Sequence, residues 1–489
     1  MILCTKNMPE YLHPGVYMEE FAVPKSIEGV STNTAGFIGQ TQRGPLKPRL
    51  VTNFIDFQRL YGGFIEESYL AYAVDGFFKN GGKKCYIKRI AEQTPPGKID
   101  IHDKEGNISL GIDAIGPGKW GKDVFVNIKD ATYDGDFFKL EIYFPTINDT
   151  SNIEVFDGLS SDPDSERFFE KIVNGTSNFV LIKNVNSKRP NNIETNLIEN
   201  SEEGIWDPKI SDYQAYEDAL DELKEIKDIS IICVPDELGD YTLQDKIKIH
   251  CKECNAFAIF QTEKDAFKNI STLKPKHDTM YAAVYFPWIE ILDPLTNQPK
   301  LIPPGGHVAG IYARTDTERG VHKAPANETV RGIRSLQVKI GSEQDFLNPR
   351  GINVIRDFPD KGIVVYGART MSSNPNWRYI NVRRLLSFIG KSIEKGTQWA
   401  VFEPNNEKLW ARVNLTISAF LHGVWKTGAL MGTSLEEAFF VKCDKTTMTQ
   451  DDIDSGRLVC IIGVAPTKPA EFVIFQISMT KEGSKIEES

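Results

Sequence analysis

The sequence predicts an α/β protein: a mixed-sheet α/β core with an inserted β-rich segment and extended terminal arms. Three observations carry this. Residues 207–305 alternate helix-like and strand-like stretches in a β-α-β-α-β order, which favours a mostly parallel sheet. The segment 91–206 instead carries period-two alternation in "DVFVNI" and "FFKLEIYF". Both ends hold strand-forming runs, "GVYMEEF" and "EFVIFQISM".

At 489 residues the chain exceeds the size at which single cores stop growing, so about two to four domains are expected. With 40% hydrophobic and 25% charged residues, the composition is that of a soluble globular protein. No apolar stretch approaches the ~20 residues of a membrane span. The start "MILCTKNMPE" lacks a basic region and an apolar core, so cytoplasmic assembly is expected. Seven cysteines cannot all pair. Cys233 and Cys460 sit in apolar runs as small hydrophobes, and Cys251 and Cys254 of "CKEC" read as structural thiols without a completing ligand pair. Net charge is −10, and residues 91–206 alone hold 21 acidic against 11 basic residues, which leaves the rest balanced. That distribution speaks against nucleic acid as a partner.

The elements follow in order. Pro14-Gly15 marks a turn before a short β run, and "TAGFIGQTQRGP" is a strand ending at Gly44-Pro45. "FIDFQRLYGG" and "YLAYAVDGFFKNGG" are helices closed by glycine pairs, and "KKCYIKRI" is a strand. The breaker "QTPPGKI" opens the acidic insertion, and a polar stretch closes it. "SDYQAYEDALDELKEI" places Ala215, Ala219, Leu220, Leu223 and Ile226 on one helical face. "ISIICV", "AFAIFQ" and "YAAVYFPWIEIL" are strands, and the helix in "TLQDKIKIHCKEC" starts at a cap-like Thr242 with Asp245 three residues on. "PPGGHVAG" reads as a turn before a helix. In "EKLWARVNLTISAFLHGVW" an apolar stripe runs through Leu409, Val413, Ile417, Phe420 and Val424. "EAFFVKC" and "LVCIIGV" are strands.

Catalytic patterns are sparse: the chain has no GxxxxGK[ST], HExxH or GxSxG motif. His307, Asp316, Glu318 and His322 lie close in sequence without ligand spacing and read as solvated residues, and Arg356, Asp357 and Asp360 as a charged loop. The helix spanning residues 378–395 carries Arg378, Arg383, Arg384, Lys391 and Lys395 against Glu394. It is either a solvated face or a docking surface for an acidic partner. No cofactor, metal or catalytic residue is expected.

In the last run Val473, Phe475, Ile477 and Met479 face one way and Phe472, Ile474, Gln476 and Ser478 the other. It either closes the chain's own sheet or is given to another subunit. A donated strand gains about six backbone hydrogen bonds of ~1 kcal/mol each and on the order of 5 kcal/mol from two or three buried side chains. Ordering about eight residues costs roughly 1–2 kcal/mol apiece, so one exchange nearly balances. Such arms hold when many close together in a lattice.

Several stretches resemble the tail sheath proteins of contractile phages and phage-like injection systems: "HPGVYMEEF", "GVSTNTAGFIGQTQRGP", "GPGKWGKDVFV", "HVAGIYARTDTERGVHKAPANETVRGI", "VRRLLSFIGKSIEKGTQWAVFEPNNEKLW", "GALMGTSLEEAFFVKCD" and "DIDSGRLVCIIGVAPTKPAEFVIFQISM". They cover residues 10–90 and 280–479 and thin out across the acidic segment. The resemblance implies a structural protein, not an enzyme. Its partners would be copies of itself in stacked hexameric rings, an inner tube protein, and baseplate and terminator or cap proteins, with no nucleic acid and no membrane insertion. Such a sheath assembles in a metastable extended state and shortens without nucleotide, driving the tube through a target envelope. The implied layout is an N-terminal arm at 1–24, core at 25–90, an outer insertion at 91–206, core at 207–465, and a C-terminal arm and polar tail at 466–489. Inter-subunit arms would use Val16, Tyr17 and Phe21 at one end and Phe472, Val473, Ile474, Phe475 and Ile477 at the other. The basic helix would face the tube or a neighbour. Readings from other classes are an α/β hydrolase-like enzyme and a surface-binding module that uses the acidic segment.

Overall fold

A computed structural model describes residues 26–91, 95–132, 136–145, 153–197 and 213–472. Within these the chain divides into two compact units, a larger one (29–391, 428–431 and 466–472) and a smaller one (26–28, 392–427 and 432–465).

The larger unit starts with β1 (Ala35–Gly39), β2 (Arg49–Val51), α1 (Phe54–Tyr61), α2 (Leu70–Lys79) and β3 (Cys85–Arg89). The insertion follows as β4 (Lys98–His102), β5 (Ile108–Ala114), β6 (Phe125–Asp130), β7 (Phe138–Tyr143), β8 (Ile153–Leu159), α3 (Phe169–Thr176), β9 (Val180–Asn184) and β10 (Ile193–Asn196). The chain then returns through α4 (Tyr213–Lys224), β11 (Ile231–Cys233), α5 (Tyr241–Glu253), β12 (Phe257–Gln261), β13 (Ala282–Phe286), β14 (Ile289–Leu292), β15 (Pro299–Ile302) and α6 (Gly305–Arg319). It continues as β16 (Glu328–Thr329), β17 (Ser335–Leu336), α7 (Gln344–Leu347), β18 (Ile352–Phe358), β19 (Gly362–Val365) and the part of α8 (Ile380–Gly396) up to residue 391.

Nine strands form one sheet in the order β16-β19-β18-β13-β12-β11-β1-β3-β2. The six from β18 to β3 run parallel, and antiparallel strands close both edges. Both faces are covered, as parallel sheets require. Neighbouring residues point to opposite sides: Phe37 joins a core with Phe57, Phe77 and Tyr312, while Ile38 joins one with Leu243, Ile247 and Phe260.

Residues 98–197 enclose a third core between a three-stranded sheet (β4-β5-β9) and a four-stranded sheet (β10-β6-β7-β8), with Phe138, Leu140, Phe169 and Ile182 at its centre. Buried Arg43 stacks over Phe144 and Phe179 of this segment.

Several sequence expectations are corrected. The glycines of "PPGGHVAG" are not a turn; they form the first turns of α6, which crosses α2 at backbone contact. A Cβ on Gly306 would stand 2.3 Å from the Ala73 carbonyl oxygen, and one on Gly310 2.4 Å from that of Phe77. The α5 cap is Asp240, whose carboxylate accepts from the Leu243 N–H at 2.7 Å, and Thr242 lies inside the helix. "YAAVYFPWIEIL" is two strands in different sheets: Pro287 has no N–H for the ladder, so β13 stays in the large sheet and β14 pairs with β15 and β17. His307 and Asp316 are buried rather than solvated. Arg356 and Asp357 belong to β18, and of the three only Asp360 lies in the turn. Cys460 is half-buried, unlike the fully enclosed Cys233.

Candidate functional site

The smaller unit is built on α9 (Glu407–Lys426), followed by α10 (Leu435–Ala438), β20 (Phe439–Lys442), α11 (Gln450–Asp454) and β21 (Ile461–Val464). Asn406 fixes the start of α9 by accepting from the N–H groups of Lys408 and Leu409. The buried stripe runs through Leu409, Val413, Ile417, Leu421 and Val424. Leu421 stands where the sequence suggested Phe420, which is half-buried.

β20 and β21 pair antiparallel, with Phe440 opposite Gly463. The Phe440 ring packs over that glycine: a Cβ there would lie 2.2 Å from it, and the ring would have to move. Among the described residues no third strand joins this pair. None of its eight residues is buried; Phe440 is 55% and Ile461 47% exposed. Asn414 of α9 takes the Val441 carbonyl at 2.9 Å. Beside the pair, a groove of about 690 Å³ is lined by Trp410, Ala411, Asn414, Leu415 and Cys443. Burial holds the Cys443 thiol up at about 12, so it is a neutral wall. A two-stranded sheet is marginal alone, and in general the edge of such a sheet offers backbone groups to an extended chain. Chemically, such an edge can take a further strand: main-chain hydrogen bonds along it, with apolar side chains on either face.

Of the residues expected in the arms, Val16, Tyr17, Phe21, Val473, Ile474, Phe475 and Ile477 lie outside the described residues. Phe472 is described, and it is 75% exposed.

The basic helix is not the solvated face that its composition suggested. Arg384 forms a two-pronged ion pair with Asp316 at 2.6 and 2.9 Å, with side-chain exposures of 4% and 1%, and donates to the Thr32 carbonyl. Arg383 is buried, with its guanidinium over the rings of Tyr281 and Trp377. Lys391 donates to the Ile229 carbonyl. Of the five cations Lys395 is exposed and Arg378 half-buried. The Arg384–Asp316 pair spans 68 positions, so no local pattern could have signalled it. Among the described residues no group of three or more His, Cys, Asp or Glu could hold a metal, and no helix is long and apolar enough to cross a membrane.

Two carboxylates close the end of β11. Asp236 accepts from Ser68 and the Tyr69 N–H, and Glu237 from Gln244 and the N–H groups of Gly239 and Gln261. Burial raises them to about 6 and about 7. Their hydrogen bonds tie this turn to the start of α2, to α5 and to β12.

The family model "Phage tail sheath protein central domain" matches residues 211–371, and "Phage tail sheath C-terminal domain" matches 372–480. The tail sheath protein of Vibrio phage KVP40 is 28% identical over 217 residues, 43% of this chain and 30% of that protein. A prophage major tail sheath protein of Pseudomonas aeruginosa is 26% identical over 203 residues, 40% of this chain and 50% of that protein. The chain thus spans half or less of the length of these relatives. Among solved structures, the helical sheath of the anti-feeding prophage in its contracted state matches with a TM-score of 0.62 and 25% identity, over 95% of this chain and 98% of that one. These likenesses lend the hydrolase-like reading no support.

Proposed function

The chain belongs to the phage tail sheath family, and from that premise we propose that it is a structural subunit of a contractile sheath. Copies stack in rings around an inner tube, associate with a baseplate, and shorten to drive the tube through a target envelope. The carrying observation is the unfinished β20–β21 sheet in a chain whose ends are strand-forming runs. An arm of one copy pairs with this sheet in another, which completes the hydrogen bonding that neither element satisfies alone. Free energy for the stroke resides in two packings of the same stiff cores, separated by a kinetic barrier. The arms keep their pairing while the cores re-seat. Assembly takes place in the cytoplasm, and the finished particle is a phage tail or an injection system.

Residues 91–206, rich in acid, lie on the outer surface, where like charge keeps a large particle dispersed. Lys395 and Arg378 remain available to a tube or neighbour. Negative-stain microscopy of the purified chain tests the reading: long hollow cylinders support it, and discrete particles at every concentration and salt overturn it.

A further inference from the structure

The last described stretch, 466–472, is held to the larger unit at a few points. Leu430 and Pro466 form an isolated bridge. The Thr467 N–H donates to the Ala429 carbonyl at 3.1 Å, its hydroxyl to Gly428 at 2.9 Å, and Asn381 donates to the Thr467 carbonyl at 3.1 Å. Lys468, Pro469 and Ala470 then carry the chain to Glu471.

There Arg369 grips both carboxylate oxygens: Nε donates to Oε1 at 2.9 Å and Nη2 to Oε2 at 2.5 Å. The Tyr379 hydroxyl adds a 3.3 Å bond to Oε2. The fork is itself held. Arg369 Nη1 donates to the Asn348 carbonyl at 3.0 Å. Its backbone is tied on both sides by fully buried Asn353, whose Oδ1 accepts from the Arg369 N–H at 2.7 Å and whose Nδ2 donates to the Arg369 carbonyl at 2.8 Å. A planar guanidinium held at Nη1, on a backbone tied on both sides, sets the carboxylate in direction as well as distance. Little of the pair faces solvent, so salt screens it weakly.

The position of this fork matters more than its strength. It seats Glu471, one residue before the uncharged run begins. The next residue, Phe472, already stands in solvent and begins the uncharged run. What the fork fixes is the residue from which that run starts.

We propose that Arg369, backed by Tyr379, is a positioning residue for assembly: by seating Glu471 it aims the C-terminal run at the open sheet of a neighbouring copy. This rests on the sheath-subunit reading. Aiming reduces the freedom the arm loses on docking, and each contact is multiplied along the lattice.

The test compares the full chain with Glu471→Gln, Arg369→Lys and the charge-reversed pair Arg369→Glu/Glu471→Arg. Monomer unfolding and the critical concentration for cylinder formation are both measured. The expected result is single variants that unfold as the parent does yet need about tenfold or more higher concentration to assemble, with much of that loss recovered by the reversed pair. A purely structural bond would move unfolding and assembly together. Parent-like assembly of both single variants overturns the proposal and leaves the sheath reading standing, whereas a parent chain that never forms cylinders overturns that reading first. If a single variant unfolds early, the reversed pair decides: a folded pair that still fails to assemble contradicts the proposal, and recovered cylinders support it.

Discussion

The nine-stranded sheet and the two-stranded β20–β21 sheet face the same problem and end differently. In the large sheet β1, β12 and β13 are buried at every residue, with helices on both faces and antiparallel strands closing the edges. In the small sheet nothing is buried, and Phe440 and Ile461 lie open. One sheet buries its central strands on both faces, and the other, among the described residues, is a pair with no third strand and no buried residue. On the reading proposed above, the same side-chain types do different things: in the first they set stability, in the second association.

The largest expected effect separates these roles outright. Removing 472–489 should abolish cylinders while leaving a folded monomer, read by sedimentation and circular dichroism. Cylinders of normal length from the shortened chain would erase the distinction. Next, Phe260→Ala in the large sheet should cost about 3–5 kcal/mol in chemical unfolding, because it empties a filled core. Ile461→Asp in the small sheet should leave unfolding within roughly 0.5 kcal/mol, as surface changes do, yet suppress assembly. Equal unfolding losses from the two would show that the small sheet is a core element as well. Gly306→Val should destabilise the monomer by about 1–3 kcal/mol or more, because its Cβ meets the Ala73 backbone in the α2–α6 crossing.

A pH series sharpens the contrast further. Burial raises Glu237 from an ordinary 4.5 to about 7, so the native chain keeps a proton the unfolded chain has released. Its contribution is full below 4.5 and lost as pH rises through about 7. His307 acts oppositely: burial lowers it from 6.5 to about 3, and its contribution is lost as pH falls through that range. Glu237→Gln should therefore be about 1–3 kcal/mol more stabilising at pH 8 than at pH 5. A pH-independent difference would show that burial does not hold this proton. The smallest expected effect comes from replacing 93–204 with a short linker, which should spare both the large sheet and assembly because that segment encloses its own core.

What was legible in the sequence was local. The α4 pattern that buries Ala219, Leu220 and Leu223, and the apolar strands β11 and β12, follow from periods a short window contains. Two features depend on distant neighbours that no short window contains. The glycines of α6 look like a turn until α2 is seen against them, and the charges on α8 look solvated until Asp316 and Tyr281 are brought up from 68 and about 100 residues away. The small sheet is half visible: the apolar runs mark both strands, but only the topology shows that they pair with each other and with no third strand among the described residues. The Arg369–Glu471 fork, across 102 positions, left no local signal at all.

A helical reconstruction of cylinders assembled from the purified chain tests the central claim most directly. The expected density is a strand from a neighbouring copy, hydrogen-bonded along an edge of β20–β21, in every subunit. A reconstruction in which both edges stay bare, or are filled by the termini of the same copy, would contradict it.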